Sequence, residues 1–156
     1  MEKQMEIDVK KVLEKIAQYR GVIITDSINI ERFIEAIIIN YFVKEEKSSE
    51  FLVKCITDEY FSFGLKIRIL EKLDFSTYDG FFEDIRKMNK IRNIFAHCSP
   101  GSFTGGLSYY NEKIKSRETR ELEEFHKEFL GRIKKVQSQL EKLFDELIKS
   151  KNEPKS

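Results

Sequence analysis

Residues 117–149 read as one long amphipathic helix, and that single feature decides the fold class. Leu122, Phe125, Phe129, Ile133, Val136, Leu140, Leu143 and Leu147 recur at spacings of three and four, the period that lines one face of an α-helix. At 1.5 Å per residue the helix reaches on the order of 50 Å, beyond the width of a small domain. So long an apolar seam must be covered by other helices, by a second chain, or by bending back. It commits the chain to a helical bundle. Its overhang makes self-association an expectation, although an internal core accounts for such a stripe equally well.

The rest of the chain supplies the covering helices. A first amphipathic stretch spans roughly 6–19, with Ile7, Val12, Leu13 and Ile16. A second spans roughly 22–43, where Ile23, Ser27, Ile30, Ile34, Ile37 and Tyr41 alternate at four and three. Its isoleucines would suit a strand locally, but the run is too long for one, so a buried helix is expected. "KEEKSSE" (44–50) is a connector, followed by a short helix at 51–58 and another at 63–73 opened by Ser62. "DFSTYDG" (74–80) breaks the pattern again, with Ser76 and Asp79 spaced like a capping box. A helix over 79–98 comes next. Three glycines, a proline and alternating aromatics in "SPGSFTGGLSYYN" then indicate a loop, with a short hairpin about Gly105-Gly106. The fold class is therefore all-α: a bundle of five to six helices with a long C-terminal helix and a Gly/Pro-rich loop before it. One domain over residues 1–150 with a frayed polar tail over 151–156 is the organisation expected.

Composition narrows the function classes. Lys and Arg number 28 against 27 for Asp and Glu, so nucleic-acid binding requires a local patch rather than a polycationic chain. Cys55 and Cys98 are isolated, with no C-x-x-C and no zinc-ligand spacing, which argues for a reducing compartment and against a structural metal. The N-terminus lacks a signal-peptide core, and "IEAIIINYFV" is too short to span a bilayer. A cytoplasmic protein without membrane association or cofactor is expected. No P-loop or G-x-G-x-x-G points to nucleotide hydrolysis.

One position breaks the pattern. On a helical wheel starting from Phe81, Ile85, Met88 and Phe95 fall with Phe81 inside an arc of about 80°, and Arg92 falls among them at about 20°. A guanidinium buried there unpaired costs several kcal/mol. It must meet a carboxylate, reach solvent, or face a cleft that takes an anion. Asp26, Glu31 and Glu35 of the second helix are the candidate partners, Asp26 foremost. Asn89, Asn93 and His97 form a polar ladder at i, i+4 and i+8, toward which Arg92 can lean. "RKMNKIR" (86–92) holds four basic residues and no acidic one. Arg92, Asn93 and His97 are the catalytic candidates, with Arg86, Lys87, Asn89 and Lys90 as substrate-binding ones. Patch, imidazole and guanidinium suit a phosphate-containing ligand. The same residues also admit a plainer account: a histidine C-cap, a solvated basic face and a structural ion pair. His126, the second histidine, is expected on the exposed side of the last helix. Cys98 and His97, adjacent on a helix, point about 100° apart and do not make a nucleophile–base pair.

"IRNIFAH" (91–97) resembles the Arg-x4-His motif of the HEPN superfamily of helical domains, in which a polar residue commonly follows the arginine, as Asn93 does here. The order of "TDSINIERFIEAIIINYF" (25–42), "FSFGLKIRILEKL" (61–73) and the "IRN-x-x-AH" helix followed by a Ser-Pro loop is most similar to the branch containing the mannitol operon repressor family. The resemblance covers about residues 20–105. It implies one of two functions. The first is a metal-independent endoribonuclease, often a toxin or defence effector, that cleaves RNA by attack of the ribose 2′-OH. The second is a non-catalytic transcriptional regulator or interaction module. It further implies a homodimer whose two motifs line one cleft, and a cognate antitoxin or regulatory protein as a possible partner.

Overall fold

The computed structural model describes the backbone of residues 2–58, 60–97, 106–111 and 116–152. Its first element, α1 (Glu2–Phe42), is one continuous helix where the local pattern suggests two, over 6–19 and 22–43. The reason lies in the spacing of the buried isoleucines. Ile16, Ile23, Ile30 and Ile37 follow one another at seven residues and are all buried, so one core face runs straight through Gly21. A helical glycine costs about 1 kcal/mol relative to alanine. Burial of each flanking isoleucine offsets it by about 1.5–3 kcal/mol. The side chains of Ile7 and Val12 lie outside the described residues.

A 3-10 turn (Glu45–Lys47), the four-residue α2 (Ser48–Phe51) and a π-helical turn (Leu52–Ile56) replace the connector and short helix expected over 44–58. In the wide turn Thr57 N–H donates five residues back, to the Leu52 carbonyl, and Ile56 is fully buried. Ser62 then caps α3 (Phe63–Glu71) as expected, its hydroxyl oxygen accepting from Leu65 N–H at 3.3 Å.

Helix α4 (Phe81–His97) begins later than its expected start, and the Ser76–Asp79 capping box is not used. Gly80, at φ +86°, turns the chain through the left-handed region, and its carbonyl accepts the Asp84 N–H at 2.9 Å. Ser76 serves elsewhere: its carbonyl accepts from Gln139 Nε2 at 3.3 Å.

A two-stranded antiparallel hairpin joins α4 to α5, with β1 (Gly106–Asn111) and β2 (Ser116–Glu121) in register from Gly106↔Glu121 to Asn111↔Ser116. The expected turn at Gly105-Gly106 is displaced: Gly106 opens β1, and the chain reverses between Asn111 and Ser116. Residues 117–121, assigned by pattern to the last helix, are strand. Pairing across the hairpin overrides the helical preference of its arginines and glutamates. The Ser99-Pro100-Gly101 stop and the rest of the Gly/Pro-rich loop through Gly105 lie outside the described residues.

α5 (Leu122–Asn152) completes the all-α bundle, and its seam is spent inside the chain. Leu122, Phe125, Phe129, Ile133, Val136, Leu140 and Leu143 are buried, and Leu147 packs at the margin of the same core. The overhang inferred for this helix is absent because α1 is longer still and runs beside it in the same direction. A Lys15–Glu123 ion pair, a Tyr19–His126 ring stack at 4.3 Å and a shared cleft near Ala36 and Phe144 mark that alignment. α4 runs the opposite way, with Phe95 edge-on to Phe125 at 6.0 Å and Asp84 beside Arg132 at 3.3 Å. α3 packs against α1 and α4 on the remaining side. Among the described residues no helix is long and apolar enough to cross a membrane.

Candidate functional site

The C-terminal half of α4 carries the candidate residues, and its wheel explains their placement. Phe81, Ile85, Met88 and Phe95 are buried as expected, and Ile91 and Ile94 widen the buried face. Arg92 therefore sits at the edge of that face, half-buried. Its guanidinium leans round the helix and Nη1 donates to Asn93 Oδ1 at 3.1 Å. No carboxylate among the described residues pairs with it. Asn93 and His97 are exposed, and His97 lies on the last turn of α4, roughly 7.5 Å of helix rise beyond Arg92. Cys98 lies outside the described residues.

None of the three carboxylates proposed for Arg92 pairs with it. Asp26 lines a 360 Å³ cleft between α1 and α5, together with Arg32, Phe33, Ile133 and Phe144, and no ion pair joins it to Arg92. Glu31 and Glu35 both hold Lys66 of α3, at 2.7 and 2.5 Å.

The basic patch is smaller than the sequence implies. Arg86 is tied to Glu71 of α3 at 2.8 Å, and Lys87 to Glu83 one turn back at 2.6 Å. The Lys87 hydrogen bond holds the Glu83 carboxyl below its usual range. Asn89 turns from the ladder toward α3, with its Nδ2 beside Gly64, and its Oδ1 is buried without a hydrogen-bond partner. Lys90 stays exposed. The ladder and patch thus reduce to Lys90, Arg92, Asn93 and His97 in the C-terminal half of α4, of which Arg92 and Asn93 are joined by a hydrogen bond. His126 is not on an exposed face as expected; it is half-buried, stacked on Tyr19.

Two polar clusters escaped the sequence reading. Lys66 is 4 % exposed between α1 and α3. Burial works against its charge, but hydrogen bonds and attraction from Glu31 and Glu35 outweigh it and raise its pKa. The signal was available: Phe63, Lys66, Ile67 and Leu70 share one helical face, the same anomaly that singles out Arg92. The second cluster clasps α4 to α5. Tyr78 Oη donates to Asp84 Oδ2 at 3.0 Å, and Arg132 bridges Asp84 and Glu128 at 3.3 Å each. Burial, then the Asp84 hydrogen bond, pushes the Tyr78 phenol well above its ordinary value. Its members sit on three segments, and local spacing links only Glu128 and Arg132, one turn apart on α5.

Chemically, the end of α4 offers an anion-binding guanidinium, an amide that orients it and an imidazole open to solvent. Among the described residues no group of three or more His, Cys, Asp or Glu side chains converges as a metal site. No family model, no curated protein and no solved structure matches the chain.

Proposed function

We propose that this chain is an RNA-acting helical domain of the HEPN type, using Arg92, Asn93 and His97 for metal-independent cleavage. The observation that carries the reading is the contrast between two cations placed on core-facing stripes. Lys66 meets two carboxylates, whereas Arg92 meets none among the described residues and donates to the neighbouring Asn93 amide, on the helix that ends in the exposed His97. A half-buried guanidinium without a counter-charge is suited to an anion from outside the chain, and its planar fork matches two phosphate oxygens.

In this reading His97 removes the proton from a ribose 2′-OH, whose oxygen attacks the adjacent phosphorus. The bond to the 5′-oxygen breaks, leaving a 2′,3′-cyclic phosphate and a 5′-hydroxyl end. Arg92 stabilises the extra negative charge on the phosphorane oxygens. Asn93 fixes the guanidinium. The departing 5′-oxygen needs a proton, and a second copy's His97 across a shared groove supplies it, so the active form is a homodimer. A toxin or defence role with a cognate antitoxin, in the cytoplasm, fits this chemistry.

A second reading, a non-catalytic mannitol-repressor-like regulator or interaction module, is favoured by one feature: no described residue orients the His97 ring. Incubation of RNA in EDTA with wild type, His97→Ala and Arg92→Ala separates the two. Cyclic-phosphate products formed by wild type and lost in both variants support the enzyme. Inert wild-type protein supports the regulator.

A further inference from the structure

The stripe of α1 ends in an anomaly. Ile30, Ile34 and Ile37 are buried, and Tyr41 continues their spacing, yet Tyr41 is 47 % exposed and Phe42 beside it 60 %. The two rings meet edge to face at 4.9 Å, and Tyr41 also stands edge-on to Phe75 at 5.7 Å. Together with Ile69, Leu73, Arg68 and Lys72 they line a cleft of 480 Å³ between the ends of α1 and α3. No carboxylate lines it, and neither Arg68 nor Lys72 has an ion-pair partner among the described residues. The carboxylate on the last turn of α3, Glu71, is turned to Arg86.

A solvated basic face would not carry two exposed aromatic rings, and a simple apolar contact would not surround them with unpaired cations. Flat apolar faces beside uncompensated positive charge match unpaired bases strung on phosphates. We propose that this cleft binds a single-stranded RNA segment, with bases stacked on Tyr41 and Phe42 and phosphates on Arg68 and Lys72. The preference for a single strand rests on the cleft, because a duplex hides its base faces. The choice of RNA rests on the function proposed above. The cleft lies toward the other end of α4 from His97: Glu71, next to Lys72, pairs with Arg86, roughly 16 Å of helix rise before His97. It therefore acts as a holding site, and Arg68, Lys72, Tyr41 and Phe42 take no part in bond cleavage.

The test is fluorescence anisotropy of a labelled twelve-nucleotide oligouridylate, and of a duplex of equal length, binding the His97→Ala protein. Tyr41→Ala and Phe42→Ala, added to that background, should each weaken single-strand binding by roughly tenfold. Arg68→Gln and Lys72→Gln should each reduce the slope of log affinity against log salt by about 0.7. All four side chains are solvent-facing, and thermal melts confirm that the variants fold. Unchanged single-strand affinity in these variants, or equal affinity for the duplex, overturns the proposal. The two readings fail separately. Wild type that binds through the cleft but never cuts refutes the enzyme alone, and wild type that cuts while cleft variants bind normally refutes the cleft alone.

Discussion

At the residue scale, the outcome of burying a cation depends on what the neighbouring helix presents. Lys66 faces two carboxylates one helical turn apart on α1, and the triad closes. Lys66→Met should destabilise the fold by about 3 kcal/mol, because it leaves two half-buried carboxylates facing each other without their counter-charge; urea unfolding measures it. The raised Lys66 pKa sets the pH dependence of the same contact. A raised folded-state value means the stabilisation is complete below the ordinary lysine range, about 10.5, and disappears as pH climbs through the higher folded value. Unfolding midpoints should therefore fall above pH 10.5 in wild type and less steeply in Lys66→Met. Arg92 is the opposite case. Arg92→Lys keeps the charge but not the fork, and should lower RNA cleavage by about 100-fold with little change in melting temperature. A large loss of stability in that variant would show the guanidinium to be structural.

Elements were legible wherever one period governed a long run, and illegible where a glycine or a hairpin intervened. The α5 seam and the core stripe of α4 were both readable from spacing. The continuity of α1 was hidden by Gly21, though the heptad of isoleucines crosses it. Gly21 and Gly131 are helical, with open space where a Cβ would stand. Alanine at either should raise stability by roughly 0.5–1 kcal/mol, measured by chemical denaturation. Gly80→Ala should do the reverse, by about 1 kcal/mol, since its φ of +86° lies where a Cβ meets the backbone.

For the whole molecule, the fold removes one dimer interface from consideration and leaves another open. α5 buries its seam against α1 and α4, so that face is not available to a second copy. The proposed chemistry needs two imidazoles in one groove, which puts the twofold axis near the end of α4. Light scattering at micromolar concentration should give twice the 18.5 kDa chain mass. Monomeric protein that still cuts RNA through His97 would remove the shared groove from the mechanism.

Periodicity alone determined that this chain is a helical bundle, which faces of α4 and α5 are buried, and that a guanidinium intrudes on a core stripe. Those are consequences of 3.6 residues per turn acting within one element. Which carboxylate meets which cation was decided only in three dimensions. Asp26 lines the α5 cleft, Glu31 and Glu35 close on Lys66, Arg86 meets Glu71 of α3, and Tyr41 emerges from the stripe it belongs to. Each of these depends on the relative height and rotation of packed helices, which spacing within a single helix does not encode.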